Sequence, residues 1–231
     1  MSSRLASFRG PSTPTSSPAQ HKSPNPPASP SRLTESTFHR KTRTLLLELQ
    51  SIAGTWEDLV LIDGLKAARE LVDTRTDLDN ALKVIPDKTP RSRIVIPKLV
   101  VMDACIVRLD AVIAKLRKQF LRMNNVIENL ELVLVDAHKV KGWQWVQQEP
   151  LWVTWSLEKF VTRVPQLLKP YHRSLALHID LANQLRDHSA TFENYRDIIN
   201  QWVAQPHLEG AGWEAAWEEI CEAEVERWSS S

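Results

Sequence analysis

Residues 97–141 read PKLVVMDACIVRLDAVIAKLRKQFLRMNNVIENLELVLVDAHKVK, from Pro97 to Lys141. Taking every third and fourth residue gives Leu99, Met102, Ile106, Leu109, Ile113, Leu116, Phe120, Met123, Ile127, Leu130, Leu134 and Ala137. No polar residue interrupts the alternation, which predicts one long helix with a core-facing seam. At its standard rise such a helix is roughly 65 Å long. Pro97 suits its first turn, and Gly142 follows Lys139 and Lys141 as a stop signal. Cys105, Val112, Val126, Val133 and Val140 widen the apolar face beyond the two rows of a two-stranded coil, so a bundle of three or four helices is expected.

The rest of the chain supplies the companions. Six glycines in 231 residues leave few turns, and long periodic segments dominate, so the fold class is all-α: an elongated antiparallel helical bundle or coiled coil. A first helix is expected from Phe38–Thr42 to about Val84. Its seam of Leu45, Leu49, Ile52, Trp56 and Leu59 moves by one position after Gly54 and Gly64, to Ala67, Leu71, Leu78 and Ile85. The short loop between Pro86 and Pro90 makes the central helix antiparallel to it, and Ile94-Val95-Ile96 reads as a lead-in. A third helical region spans Ser156 to about Asp187, with Pro165 and Pro170 kinking it or splitting off a leading segment. Thr191 caps a fourth helix that Pro206 stops, and a short acidic helix carries Trp213, Trp217, Ile220, Cys221 and Trp228. The organisation is thus a tail over 1–36, a helical hairpin over 37–141, a Trp-rich connector over 142–155, and C-terminal helices over 156–231 packing on the hairpin.

The tail holds half of the 14 prolines and few large apolar residues, a composition that predicts disorder. Ser29-Pro30-Ser31-Arg32 within it matches the Ser-Pro-x-Arg pattern of cyclin-dependent kinases, which makes Ser29 the candidate phosphosite. Net charge is +1, so no global electrostatic case exists for nucleic acid or membrane. Locally, residues 1–43 carry seven Lys/Arg against one acid, and residues 207–231 carry seven Glu against one Arg. Lys115, Arg117, Lys118 and Arg122 form a basic cluster without interleaved aromatics, read as a solvated or partner-facing surface rather than a nucleic-acid site. Cys105 and Cys221, the only cysteines, have no metal or disulfide spacing and read as reduced core residues of an intracellular protein. Neither a secretory signal nor a membrane-length apolar run is present.

The connector, GWQWVQQEPLWVTW, contains four of the nine tryptophans. Such aromatic area is either a plug on the bundle end, the reading for Trp152 and Trp155, or a binding hot spot. Trp143 and Trp145 fit either reading. Together with Trp213 and Trp217 they are the candidate partner-binding residues, while Ile106, Leu109, Ile113, Leu116, Phe120, Ile127 and Leu130 form the structural seam. His178 on the third seam reads as a satisfied core histidine. The sequence has no HExxH, no phosphate-cradling glycine loop and no GxSxG elbow; neither catalytic activity nor a cofactor or metal is expected.

Three segments carry a family resemblance. Pro150-Leu151-Trp152-Val153-Thr154-Trp155 with Phe160 resembles the P-L-aromatic-x-T-W…F segment of the cyclin-dependent kinase 2-interacting protein family. Leu167-Leu168-Lys169-Pro170-Tyr171-His172-Arg173-Ser174-Leu175-Ala176-Leu177 is similar to its L-L-x-x-Y-R-x-E-L-x-L helix, with Ser174 in place of the acid. Trp202-Val203-Ala204-Gln205-Pro206-His207-Leu208 is similar to its W-L-x-Q-P-x-V element, and Trp56 to Leu59 fits its N-terminal half. The resemblance covers most of residues 42–225 and excludes the tail. It implies a non-enzymatic, nuclear adaptor, compatible with a cytoplasmic pool, and transfers no catalytic residues. The partners it implies are cell-cycle kinase and replication-checkpoint machinery, a second small helical protein, and an AAA ATPase complex tied to genome maintenance and ribosome maturation. The alternative from the residues alone is a structural coiled-coil subunit of a kinetochore or tethering assembly.

Overall fold

A computed structural model describes residues 35–86, 90–187, 190–210 and 212–220, with only the backbone of Trp213 and Glu214. The tail, with Ser29, and the segment from Cys221 through Trp228 lie outside the described residues. Every element among the described residues is helical, apart from one isolated bridge between Pro150 and Ser156. The all-α expectation is therefore met.

α1 (Thr37–Asp58) opens on Ser36, whose hydroxyl accepts the His39 amide, and runs without a break through a π-helical turn, Leu59–Gly64, into α2 (Leu65–Val84). The wider π-turn inserts the extra residue that the moved seam requires. Before it the helix buries Leu49, Ile52 and Trp56; after it, Ala67, Ala68, Leu71 and Leu78. The Val60 carbonyl accepts twice, from the Leu65 amide within the π-turn and from a side chain outside it. The Trp202 Nε1–H donates to the Val60 oxygen at 3.0 Å, both groups being buried. The indole then lies so close to the backbone that a Cβ on Gly64 would sit 2.6 Å from Trp202 Cζ2.

α3 is Ser92–Lys141, a 50-residue helix, and it packs against α1, the π-turn and α2 on one side and against α6 on another. Two expectations change here. Ile94-Val95-Ile96 is helix rather than a lead-in, so Pro97 falls in the second turn instead of the first. The carbonyl left unbonded by Pro97 belongs to Arg93, and both residues are exposed, so solvent can satisfy it. The seam itself is half displaced. Met102, Leu109, Leu116, Met123, Leu130 and Ala137 are buried as read, but the alternating row is Cys105, Val112, Val126 and Val133. Ile106, Phe120 and Ile127 are half-buried at the edge, Leu99 is exposed, and Ile113 stays buried. The edge residues lie towards α6, where the Phe120 ring meets His172 at 5.5 Å.

One flank of the hairpin carries ion pairs with every cation on α3 and every acid on α1, the π-turn or α2: Lys98–Asp77 (2.9 Å), Arg108–Glu70 (2.9 Å), Lys115–Asp63 (3.2 Å) and Arg122–Glu48 (3.6 Å). Two members of the basic cluster are thus committed within the chain. Cys105 is buried, and burial pushes its thiol up from the usual range; the Arg108 guanidinium donates to its sulfur at 3.0 Å.

Gly142, at φ 85, ends α3 and its amide donates to the His138 carbonyl at 3.0 Å. The Trp-rich connector contains a short helix, α4 (Trp143–Gln148). α5 (Leu157–Arg163) follows, capped by Ser156, and a 3-10 turn, Val164–Leu167, carries Pro165 before α6 (Leu168–Leu185). Pro170 falls in the first turn of α6, where its missing N–H costs little. Thr191 caps α7 (Phe192–Ala204), accepting the Asn194 amide at 3.3 Å. Gln205 then turns left-handed at φ 40, and Pro206 opens α8 (Pro206–Glu209). α9 (Trp213–Glu218) is the last helix described.

Candidate partner-docking site

Three helical segments remote in sequence meet around a groove of about 670 Å³. α1 supplies Gly54, Trp56 and Glu57, α6 supplies Tyr171, and the α7–α9 segment supplies Gln205 and Trp217. Gly54 is exposed, and a Cβ built on it meets no atom within 4 Å, so the groove runs open along the first helix. The floor is aromatic. Trp56 is 1% exposed and stands edge-on to Tyr171 with ring centroids 5.1 Å apart.

The polar atoms of the floor give it chemistry. The Trp56 indole N–H and the Gln205 side-chain oxygen are both buried and without a hydrogen-bond partner among the described residues. A buried donor or acceptor left unpaired costs about 1–3 kcal/mol, which a shift of the floor that exposed it to a partner would relieve. The donor and the acceptor lie unpaired beneath the groove that their side chains line. Burial and the nearby Glu57 carboxylate push the Tyr171 phenol up, so it stays neutral and can donate as well as accept. Glu57 and Glu209, both exposed, give the rim negative charge.

The tryptophans singled out from the sequence separate. Trp217 is a buried wall of this groove. Trp145 is half-buried at another place, with its ring 5.8 Å from Phe38 and 6.4 Å from His39. Trp143 is 54% exposed and touches His138 at 5.5 Å between centroids. The side chain of Trp213 lies outside the described residues. Trp152 and Trp155 are buried against Phe160, at 5.4 Å and 5.2 Å, with Arg43 over the first ring and the Lys159 ammonium 4.2 Å from the centre of the second. That is the geometry of a plug. Trp56, Tyr171 and Gln205 were missed as site residues. Gly54, which opens the groove, and Pro206, which follows Gln205, were the available signals.

His178 sits under the α6–α7 contact. Its Nδ1–H donates to the Ser174 carbonyl at 2.7 Å, its ring stands edge-on to Trp202 at 4.7 Å, and burial lowers its pKa, so it is a neutral packing residue. Among the described residues no group of three or more His, Cys, Asp or Glu side chains is arranged to hold a metal ion, and no helix is long and apolar enough to cross a membrane. No protein-family model matches the chain, and no curated protein matches it at a significant level.

Proposed function

We propose that this chain is a non-enzymatic helical adaptor that docks a peptide segment of a protein partner in the groove between α1, α6 and the α7–α9 segment. The observation that supports the reading is the groove left open at Gly54 over the Trp56–Tyr171 floor. Exposed Trp143 offers a second anchor of the kind that dominates interface energies. By its resemblance to the cyclin-dependent kinase 2-interacting protein family, the adaptor works in the nucleus, with cell-cycle kinase and checkpoint machinery, a second small helical protein and an AAA ATPase complex as its partners.

Affinity purification of the tagged chain from its native cells tests both levels. Recovery of a cell-cycle kinase or an AAA ATPase complex, lost when Gly54→Trp fills the groove, is the expected result. Recovery of neither overturns the family-level reading, and recovery unaffected by Gly54→Trp overturns the groove. A structural subunit of a kinetochore or tethering complex is the second reading, favoured by the length of α3; a stoichiometric multi-subunit rod in the same purification would establish it.

A further inference from the structure

The solvent side of α3 carries a second row that the chain itself leaves bare. Val100, Val107 and Leu121 are 63%, 66% and 64% exposed. Between them lie Ala104, Ala111 and Ala114, all exposed, and with Lys118 the row advances by alternating steps of four and three residues from Val100 to Leu121. This is coiled-coil spacing on the wrong side of a core helix. Arg108, Lys115 and Arg122 border it on one flank, tied to acids of the first two helices, and Asp110 borders it on the other, paired with Arg186.

We propose that this row is a homodimer interface in which α3 pairs antiparallel with α3 of a second copy. Lys118, in the middle of the row, argues for the direction, and the free charges around it argue for the occupant; on the other flank Arg108 comes near the second copy's Lys115, each already paired with an acid of its own chain. The row is acidic at one end, with Asp103 and Asp110, and basic at the other, with Arg117 and Lys118. Asp103, Arg117 and Lys118 are exposed and make no ion pair among the described residues. A parallel pair would stack Lys118 on Lys118 of the other copy within the seam. Reversing one copy about a two-fold axis between Val112 and Ile113 sets Asp110 beside the second copy's Arg117, twice by symmetry. The same register sets Lys118 opposite the second copy's Val107, between its Asp103 and Asp110. Leu121 then meets Ala104 and Ala111 meets Ala114, so large faces small and the backbones approach closely at the axis. A self-complementary patch of this kind closes as an isologous dimer. A lysine within an apolar row also fixes register, since any slip would bury its charge without an acid.

The full chain should run by light scattering at about twice its 26.4 kDa mass at micromolar concentrations, dissociating on dilution. Leu121→Glu and Lys118→Glu should each weaken dimerisation at least tenfold while leaving the helical signal and melting of the monomer unchanged, because both positions are exposed. Combining Lys118→Glu with Asp103→Lys should restore it, an outcome that a folding defect cannot produce. A spin label on Asn129→Cys, in a Cys221→Ser background, reads the direction. In the antiparallel register the two labels sit about 50 Å apart along the helices, whereas a parallel pair brings them side by side. A monomer at every accessible concentration, no rescue by the charge swap, or neighbouring labels would each overturn the proposal.

Discussion

Gly64→Ala is the sharpest probe of the fold. In most helices this change stabilises, because glycine is about 1 kcal/mol worse than alanine in a helix interior. Here the new methyl would lie 2.6 Å from Trp202 Cζ2, 3.2 Å from its Cε2 and 3.0 Å from the Leu59 oxygen. The indole cannot swing away cheaply. It is fully buried, stands edge-on to His178 at 4.7 Å, and is tied to the Val60 carbonyl at 3.0 Å. Restoring ordinary contact means moving the ring by about 1 Å, which stretches that hydrogen bond beyond its useful range. Overpacking costs about 1–3 kcal/mol and a broken buried hydrogen bond about 1–3 more. Subtracting the helix gain leaves a net loss of about 1–5 kcal/mol, or a melting temperature lower by about 2–20 °C for a domain of this size. Urea denaturation followed by circular dichroism measures the loss. In a Trp202→Ala background the same Gly64→Ala change should become neutral or slightly stabilising, a coupling that the double-mutant cycle isolates. Gly54→Ala is the control: with nothing within 4 Å of its Cβ, it should stabilise by about 0.5–1 kcal/mol. Wild-type stability in Gly64→Ala would refute the seating of Trp202 on the π-turn.

The displaced seam gives a second test. Val112→Asp puts a carboxylate in the buried row and should abolish folding or cost several kcal/mol, while Ile106→Asp, at the half-buried edge, should cost clearly less; equal losses in denaturation would restore the seam as first read. His178 supplies a pH dependence. Its folded pKa lies below the ordinary 6.5, so the unfolded chain binds the extra proton, and stability that is complete above pH 6.5 falls as the pH drops below it. The slope approaches at most about 1.4 kcal/mol per pH unit. His178→Gln should flatten the profile between pH 5 and 7, and an unchanged profile would show that the histidine does not titrate there.

Local signals in the sequence located the elements well because their causes are local. Thr191 caps, Gly142 and Pro206 terminate, and the moved seam after Gly54 and Gly64 is the π-turn seen from the side-chain pattern alone. What the pattern could not resolve is which of two adjacent apolar rows on α3 points inward. Cys105 and Val112 differ from Ile106 and Ile113 by one residue, or about 100°. Hydrophobicity favours the isoleucines, but the centre of the core depends on where α6 lies, a tertiary fact. The groove was illegible for the same reason. Trp56, Tyr171 and Gln205 are unremarkable within their own helices and become a site only when three segments meet. Grouping the tryptophans by abundance brought Trp143 and Trp145 together with Trp217, which the fold keeps apart.

The row of ion pairs along the hairpin has a consequence for recognition. Because all its cations belong to one helix and all its acids to the other, a slide of seven residues would still bring Arg108 to Asp77, Lys115 to Glu70 and Arg122 to Asp63, with Lys98 and Glu48 left without their partners. Such a row tells α3 which surface to lie on and only weakly how far along it to stop, since an exposed pair is worth at most about 1 kcal/mol. The stopping point has to come from shape, and the π-turn, with Gly64 cut away to receive one indole, is the notch in an otherwise sliding scale.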